Sequence, residues 1–466
     1  MITPGFRTLR TALLVCLLIL AGATSTTAAN LFVRQGATGS GNGSDWNNAF
    51  PQVPTTLVRG NTYYIADGNY LGLNFDDPVS GSTFIIIKKA IESDHGTDVG
   101  WDPSFGDGQA IFSAHLWFRS SFWILDGQVR NNDGRSGHGF KVSNAGGSDP
   151  VAALRIGDFG LAVSDITVQF VEVEGTSSID DTFNDAGIRL LGNLTTNILI
   201  SRCYIHDVGQ DLMLIRGADN VTVEHSIMAY NDSSPTAHGQ GISASENMNN
   251  FVVRHNVFED IEGTSYIATP GVNKTGAGAS SNWYIHGNVF WFNCANPRNR
   301  GGVGQGPIGV INNMELNGDF FIFNNTFINF RDSTCRNGGN TNPQIAVSSS
   351  IIGGDFRVQN NLWYFCDAVS PLGMADTWSH NAYYDTPATN DLDVNKEIRI
   401  GVDPFIDWFR ADFRLAIGNN AGAPLTTPFD SDRSGAARGV DMVWDRGMFE
   451  FDNTKVGPAR SVRVIP

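Results

Sequence analysis

Charged residues make up only 17% of this 466-residue chain, and Lys and Arg (31) are outnumbered by Asp and Glu (47). The formal net charge of −16 leaves no basic stripe for a phosphate backbone, which argues against nucleic acid as a partner. An acidic polysaccharide needs only a local basic patch and stays open. Long apolar runs are nearly absent. The one at the N-terminus, "ALLVCLLILAGA" over Ala12–Ala23, is too short to cross a bilayer, and no later stretch could do so. Arg7 and Arg10 precede that run, and "TSTTAA" follows it with small residues. This is the layout of a signal peptide over residues 1–29, cleaved near Ala29, so the chain is expected to be secreted to the periplasm, the medium or the cell surface.

Cysteine is scarce too. Cys16 lies inside the apolar run, leaving Cys203, Cys294, Cys335 and Cys366. None has a CxxC or His/Cys spacing that suggests structural zinc. Cys203 falls in an apolar pattern and reads as a small buried hydrophobe, whereas Cys294 and Cys335 follow equivalent segments and are a plausible bridge.

What the chain has in quantity is glycine (52 residues) with 41% hydrophobic residues. That mix suits many short strands joined by tight turns. The segments "ILISRCYIHD", "VTVEHSIMAY", "FVVRHNVFED", "WYIHGNVFWF", "FFIFNNTFIN", "FRVQNNLWYF" and "TWSHNAYYDT" share one plan. An alternating apolar run is followed by a small or polar residue and then a second apolar run. The middle position is Cys203, Ser226, Asn256, Asn288, Asn325, Asn361 and Asn381, at intervals between 20 and 37 residues. A constant strand signature at an irregular period means a regular coil with variable loops. At an inward turn, stacked amides can donate and accept along the column, which gives the run of asparagines a physical reason. His225, His255 and His286 recur beside this column and read as turn residues.

The pattern resembles the right-handed parallel β-helix of the pectate-lyase-like superfamily. The resemblance covers about residues 31–450: "LFVRQGATGSGNGSDWNNAF" is similar to the first strand and its glycine-rich approach, "LVRGNTYYIADGNY" and "GSTFIIIKKA" to the first coils, and "DPFIDWFRADFRLAI" through "DRGMFEF" to a C-terminal cap. It implies an all-β solenoid over residues 30–450, including both caps, with a tail over 451–466. It implies polysaccharide as the substrate class, and it leaves lyases, hydrolases and non-enzymatic adhesins all possible. Gly137-His138-Gly139 lacks the Asn-Thr-Asp and Asp-Asp context that polygalacturonases place before such a triplet, so it is taken as coincidence.

The variable insertions follow the asparagine column and form one set of loops, where function concentrates on a rigid frame. Adjacent coils stack about 4.8 Å apart, so residues just before equivalent strands become neighbours. Those residues are Asp185, Asp211, His238 and Gln240, with His206 and Asp207 upstream. His238, Asp211, Asp207 and His206 are the candidate proton-carrying groups, since an imidazole beside carboxylates can move protons near neutral pH. Asp185 and Asp211 could instead hold a hard cation such as Ca²⁺. Asp and Gln also commonly cap strand starts, which is the plain alternative for each. Gln240, Lys274, Arg298, Arg300 and Tyr266 are the candidate substrate-binding residues, the cations for a uronate carboxylate and the tyrosine for a sugar ring. Arg331 lies on the same loops. Solvated loop charge and core packing are the alternatives. The preferred expectation is a lyase cleaving an acidic glycan by β-elimination, with His238 as base and loop arginines or a cation as neutraliser. A hydrolase using Asp207 and Asp211, or a glycan-binding surface module, are the other two.

Overall fold

Short runs of alternating apolar and polar residues become strands whose side chains point in turn to the two sides of a sheet. In the strand Ile85–Lys89 the alternate residues Ile85, Ile87 and Lys89 are buried. The computed structural model describes residues 28–143, 152–175, 186–231, 239–245, 248–269, 280–293, 306–310, 316–331, 342–347, 351–352, 354–389 and 392–452. The expected signal peptide, Asp185, His238, Lys274, Cys294, Arg298, Arg300, Cys335 and nearly all of the expected tail lie outside them.

Each coil of the solenoid has three β faces, and every strand pairing along them is parallel. The first face carries Leu116–Phe118, Ala152–Ile156, the start of Ala186–Ser201, the start of Asp211–Glu224, Gln240–Ser245, Ser265–Thr269, Ile308–Val310 and Ile345–Val347. The second face carries Trp123–Asp126, Ser164–Gln169 and the ends of the two long strands. It continues through Asn249–Arg254, Ser281–His286, Phe320–Phe323 and Phe356–Gln359. The third face is a separate 12-stranded sheet, running from Gly68–Tyr70 to Glu397–Arg399. Because Ala186–Ser201 and Asp211–Glu224 run through both of the first two faces, these join into one large sheet. Parallel pairing repeated at a coil's interval, with three faces closing on one apolar interior, makes the fold a parallel β-helix.

The interior is stacked by residue type. Phe258, Phe290, Phe327, Trp363 and Tyr383 occupy the same inward position on successive coils of the third face. Their rings lie 5.0, 5.0, 4.7 and 5.4 Å apart and nearly parallel. Such pairs add roughly 0.5–1.5 kcal/mol each beyond area burial.

At the turn from second to third face, Asn256, Asn288 and Asn325 each donate through Nδ2 to the Oδ1 of the next, at 3.1, 3.0 and 3.0 Å, and Asn361 donates to Asn381 at 3.0 Å. The column continues upstream: the Ser226 amide donates to Asn256 Oδ1 and the Cys203 amide to Ser226 Oγ. Cys203 and Cys366 are buried free thiols. The residue before the column residue takes a left-handed conformation on coil after coil: Arg202, His225, His255, Gly287, Asn324, Asn360 and His380 have φ between 51° and 61°.

The C-terminal segment after Arg399 covers the outer side of the third face. Phe405, Trp408, Phe413 and Met448 pack with Tyr204, Val257, Trp291 and Tyr364. Its arginines reach the turn column: Arg446 Nη1 donates to Asn381 O at 3.0 Å, and Arg433 Nη1 to His255 O at 2.7 Å.

Candidate functional site

Side chains on the first face do not alternate strictly. Leu212 and Met213 both enter the core, while Asp211, Leu214 and Arg216 fall on the outer side. The same break recurs at Ala153–Leu154, with Ala152 and Arg155 outside. The outer side is therefore a grid. One row is Ala152, Ala186, Asp211, Gln240 and Ser265; the next is Trp117, Arg155, Arg189, Leu214, Ser243 and Ala268; the third is Leu191, Arg216 and Ser245. Asp211 and Gln240 are direct register partners, one coil apart.

This patch is polar, buried and incompletely bonded. Asp211 Oδ1, Arg216 Nε, Ser245 Oγ and Ser265 Oγ are buried and make no hydrogen bond. Burial pushes the Asp211 carboxyl up to about 8, against the opposing pull of the Arg216 charge and the Gln240 backbone N–H. The carboxyl thus gains or loses its proton near neutral pH, the property a general acid or base requires. Arg155 stacks on Trp117, 3.9 Å from the ring, and pairs with Asp158 at 2.9 Å.

His206 and Asp207 lie elsewhere. His206 is on the outer side of the third face, where Nδ1 contacts Asp207 Oδ2 at 2.6 Å and Nε2 contacts Glu172 Oε1 at 3.4 Å. Its ring stacks on Tyr204 at 4.0 Å. Burial opposes the charge on His206, but the two carboxylates outweigh it and raise the imidazole. Burial likewise opposes charge on Glu172, and bonds from His206, Lys141 and Gln109 outweigh it, bringing the carboxyl down to about 2. Lys141 Nζ is 2.7 Å from Glu172 and 3.1 Å from Glu174. The expectation that His206, Asp207 and Asp211 form one constellation is therefore corrected. The chain turns a corner between Val208 and Asp211, and the imidazole is held by Asp207 and Glu172 on a different sheet.

Tyr266 is a second correction. It is 0% exposed. Its ring packs among Phe258, Phe290, Phe292 and Phe330, and its hydroxyl donates to Trp291 O at 3.0 Å. It is a core residue and not a sugar platform, because the outer–inner break on this face turns position 266 inward with Leu212. Arg331 packs on the Phe365 ring and donates to Asp385 O at 3.0 Å. His225, His255 and His286 form a file, half-buried at His225 and buried beyond it, with ring separations of 5.0 and 5.5 Å, ending on Phe429. His138 is buried with both ring nitrogens unbonded. Among the described residues no group of three or more His, Cys, Asp or Glu could hold a metal ion. The calcium expectation rested on Asp185 together with Asp211, and Asp185 is not among those residues.

The arginines of the first face, Arg155, Arg189 and Arg216, were not singled out from sequence. Their signal was there: Arg189 stands three residues after Ala186, and Arg216 five after Asp211, on outward positions that become visible only once the Leu212–Met213 break is known.

No family model and no curated protein matches this chain. Among solved structures it is similar to a pectate lyase, Pel9A, at 13% identity over 91% of this chain and 98% of that one, with a TM-score of 0.45. It is similar to a PL6 family polysaccharide lyase from Pseudopedobacter saltans at 12% identity over 80% and 94% of the two chains, TM-score 0.38. A mannuronic acid specific family 6 lyase from human gut microbiota is 12% identical over 80% and 82%, TM-score 0.25. Likeness at this level carries no conclusion about the reaction.

Proposed function

We propose that the chain is an exported polysaccharide lyase that cleaves an acidic, uronate-containing glycan by β-elimination on the outer side of its first face. Arg216, with Arg189 one coil away, faces the uronate carboxylate. Neutralising that carboxylate makes the C5 proton removable. Asp211 takes the proton as a carboxylate, the C4–O bond breaks, and the electron pair forms the C4=C5 double bond. The leaving oxygen takes its proton from solvent. Gln240 and Ser265 supply hydrogen bonds to sugar hydroxyls.

The observation that carries this reading is the concentration of four bondless buried polar atoms on one patch. Each such atom costs about 1–3 kcal/mol. Their clustering beside a carboxyl raised to about 8 supports a polar ligand that completes the bonds. The hydrolase alternative needs Asp207 and Asp211 as a working pair. Asp207 is instead committed to His206. The test is ultraviolet absorbance of the mature chain with a panel of uronate polysaccharides, with Ca²⁺ and with chelator. Elimination creates an absorbing unsaturated end, and Asp211→Asn and Arg216→Gln abolish it. Reducing ends without absorbance would indicate hydrolysis, and unchanged but bound glycan would indicate a binding module.

A further inference from the structure

A second polar anomaly lies at the corner between second and third faces, away from the first-face patch. Arg202 is itself a left-handed turn residue, and the two turn residues stacked after it are His225 and His255. Arg130, from the 127–139 loop, donates through Nη1 to His225 O at 2.8 Å. Arg433, from the C-terminal segment, donates through Nη1 to His255 O at 2.7 Å. These two carbonyls belong to consecutive coils, about 4.8 Å apart by the stacking of parallel strands. Two guanidiniums from different parts of the chain are thus fixed side by side, with a third one coil away.

Among the described residues none of the three forms a salt bridge, although the Asp133 charge acts on Arg130. The nearby acids are already engaged. Glu224 binds Arg254 at 2.6 Å and receives Ser201 Oγ at 3.3 Å. Asp133 receives the amides of Arg135 and Ser136 at 2.9 and 3.1 Å and the Ser136 hydroxyl at 2.7 Å. Arg202 reaches only Ser201 Oγ at 3.1 Å and the face of Phe170. The imidazoles do not help to disperse charge: burial lowers His225 to about 4 and lowers His255 further, so both are neutral. Burial, and then Arg130 and Arg135, bring Arg433 down to about 9, so the cluster is repulsive as it stands. In a chain of net charge −16, three guanidiniums gathered at one corner with no salt bridge to a carboxylate among the described residues are conspicuous. Each guanidinium has five N–H donors and spends one or two here.

We propose that Arg130, Arg202 and Arg433 form a binding site for a doubly charged oxyanion of the sulfate or phosphate class, free in solution or carried as an ester on a glycan. Such an anion accepts from all three forks at once and relieves their mutual repulsion. It also ties the 127–139 loop and the C-terminal segment to the same corner of the solenoid.

The experiment is calorimetric titration of the full mature chain with sodium sulfate and with sodium phosphate, at constant ionic strength set by chloride. One saturable site is expected, with a dissociation constant at or below about 1 mM. Arg433→Gln and Arg130→Gln are each expected to weaken it tenfold or more, the loss of one charge-assisted bond. Arg357→Gln, at an exposed pair with Asp355, leaves it unchanged. Absence of saturable binding in the wild-type chain overturns the proposal whatever the variants do. Saturable binding that survives in both Arg433→Gln and Arg130→Gln overturns it as well. A sulfated oligosaccharide that displaces inorganic sulfate assigns the ester as the source, and failure to displace it assigns the free ion.

Discussion

Replacing Asp211 by Asn separates the cost of its buried carboxyl from everything else in the first-face patch. The folded carboxyl is raised to about 8 from an ordinary 3.8, chiefly by burial. Between those two values the folded chain holds a proton that the unfolded chain has released, so stability falls as pH rises. Each pH unit across that window is worth about 1.4 kcal/mol, so the contribution shrinks by about 4 kcal/mol from pH 4 to pH 7. Asn carries no proton to lose. Any packing or hydrogen-bond penalty of the amide is the same at every pH. The stability difference between Asp211→Asn and wild type should therefore move in favour of the variant by about 4 kcal/mol between pH 4 and pH 7, and level off above about 8. Urea unfolding followed by tryptophan fluorescence at half-unit pH steps measures it. A difference that stays flat across this range would show that the carboxyl titrates normally, and the assignment of Asp211 as a proton-carrying group would fall with it.

Three further outcomes are expected. His206 is raised by Asp207 and Glu172, so its contribution is full below the ordinary histidine value and lost as pH rises through the folded one; the wild-type chain should show this loss and His206→Gln should not, with the imidazole followed directly by NMR titration. Asn325→Ala removes the acceptor of both Asn288 amide groups and the side-chain donor to Ile285 O, while Asn361 Oδ1 keeps the Asn325 backbone N–H, and should cost about 3 kcal/mol in denaturant unfolding. Phe413→Ala removes an edge-on ring 5.1 Å from Trp291 and should cost about 3–5 kcal/mol, read by the same method, because the C-terminal segment then leaves a cavity over the third face.

The scaffold was legible in the sequence because its signals are periodic and local. The asparagine positions, the alternating runs on either side and the histidine file each follow from one repeated segment, and the structure bonds or stacks them coil by coil. The neighbour relation of Asp211 and Gln240 was legible for the same reason. The rest of the site was not. Tyr266 looked like a loop aromatic and is core, and His206 looked like a partner for Asp211 and belongs to Glu172 and Asp207. Both errors come from the corner and from the inward–inward break at Leu212–Met213, a departure from strict alternation that apolar patterning does not encode. The cluster of Arg130, Arg202 and Arg433 joins residues more than 300 positions apart, and no local pattern announces such a meeting.

The central claim is that the outer side of the first face performs elimination on an acidic glycan. The most direct measurement is initial rate of ultraviolet absorbance increase on uronate polysaccharides as a function of pH, for the wild-type chain and Asp211→Asn. The account predicts a rate that climbs through about pH 8 as the Asp211 carboxyl loses its proton, and no rate for the variant. An absorbance increase that Asp211→Asn retains, or no increase on any uronate substrate, would contradict it.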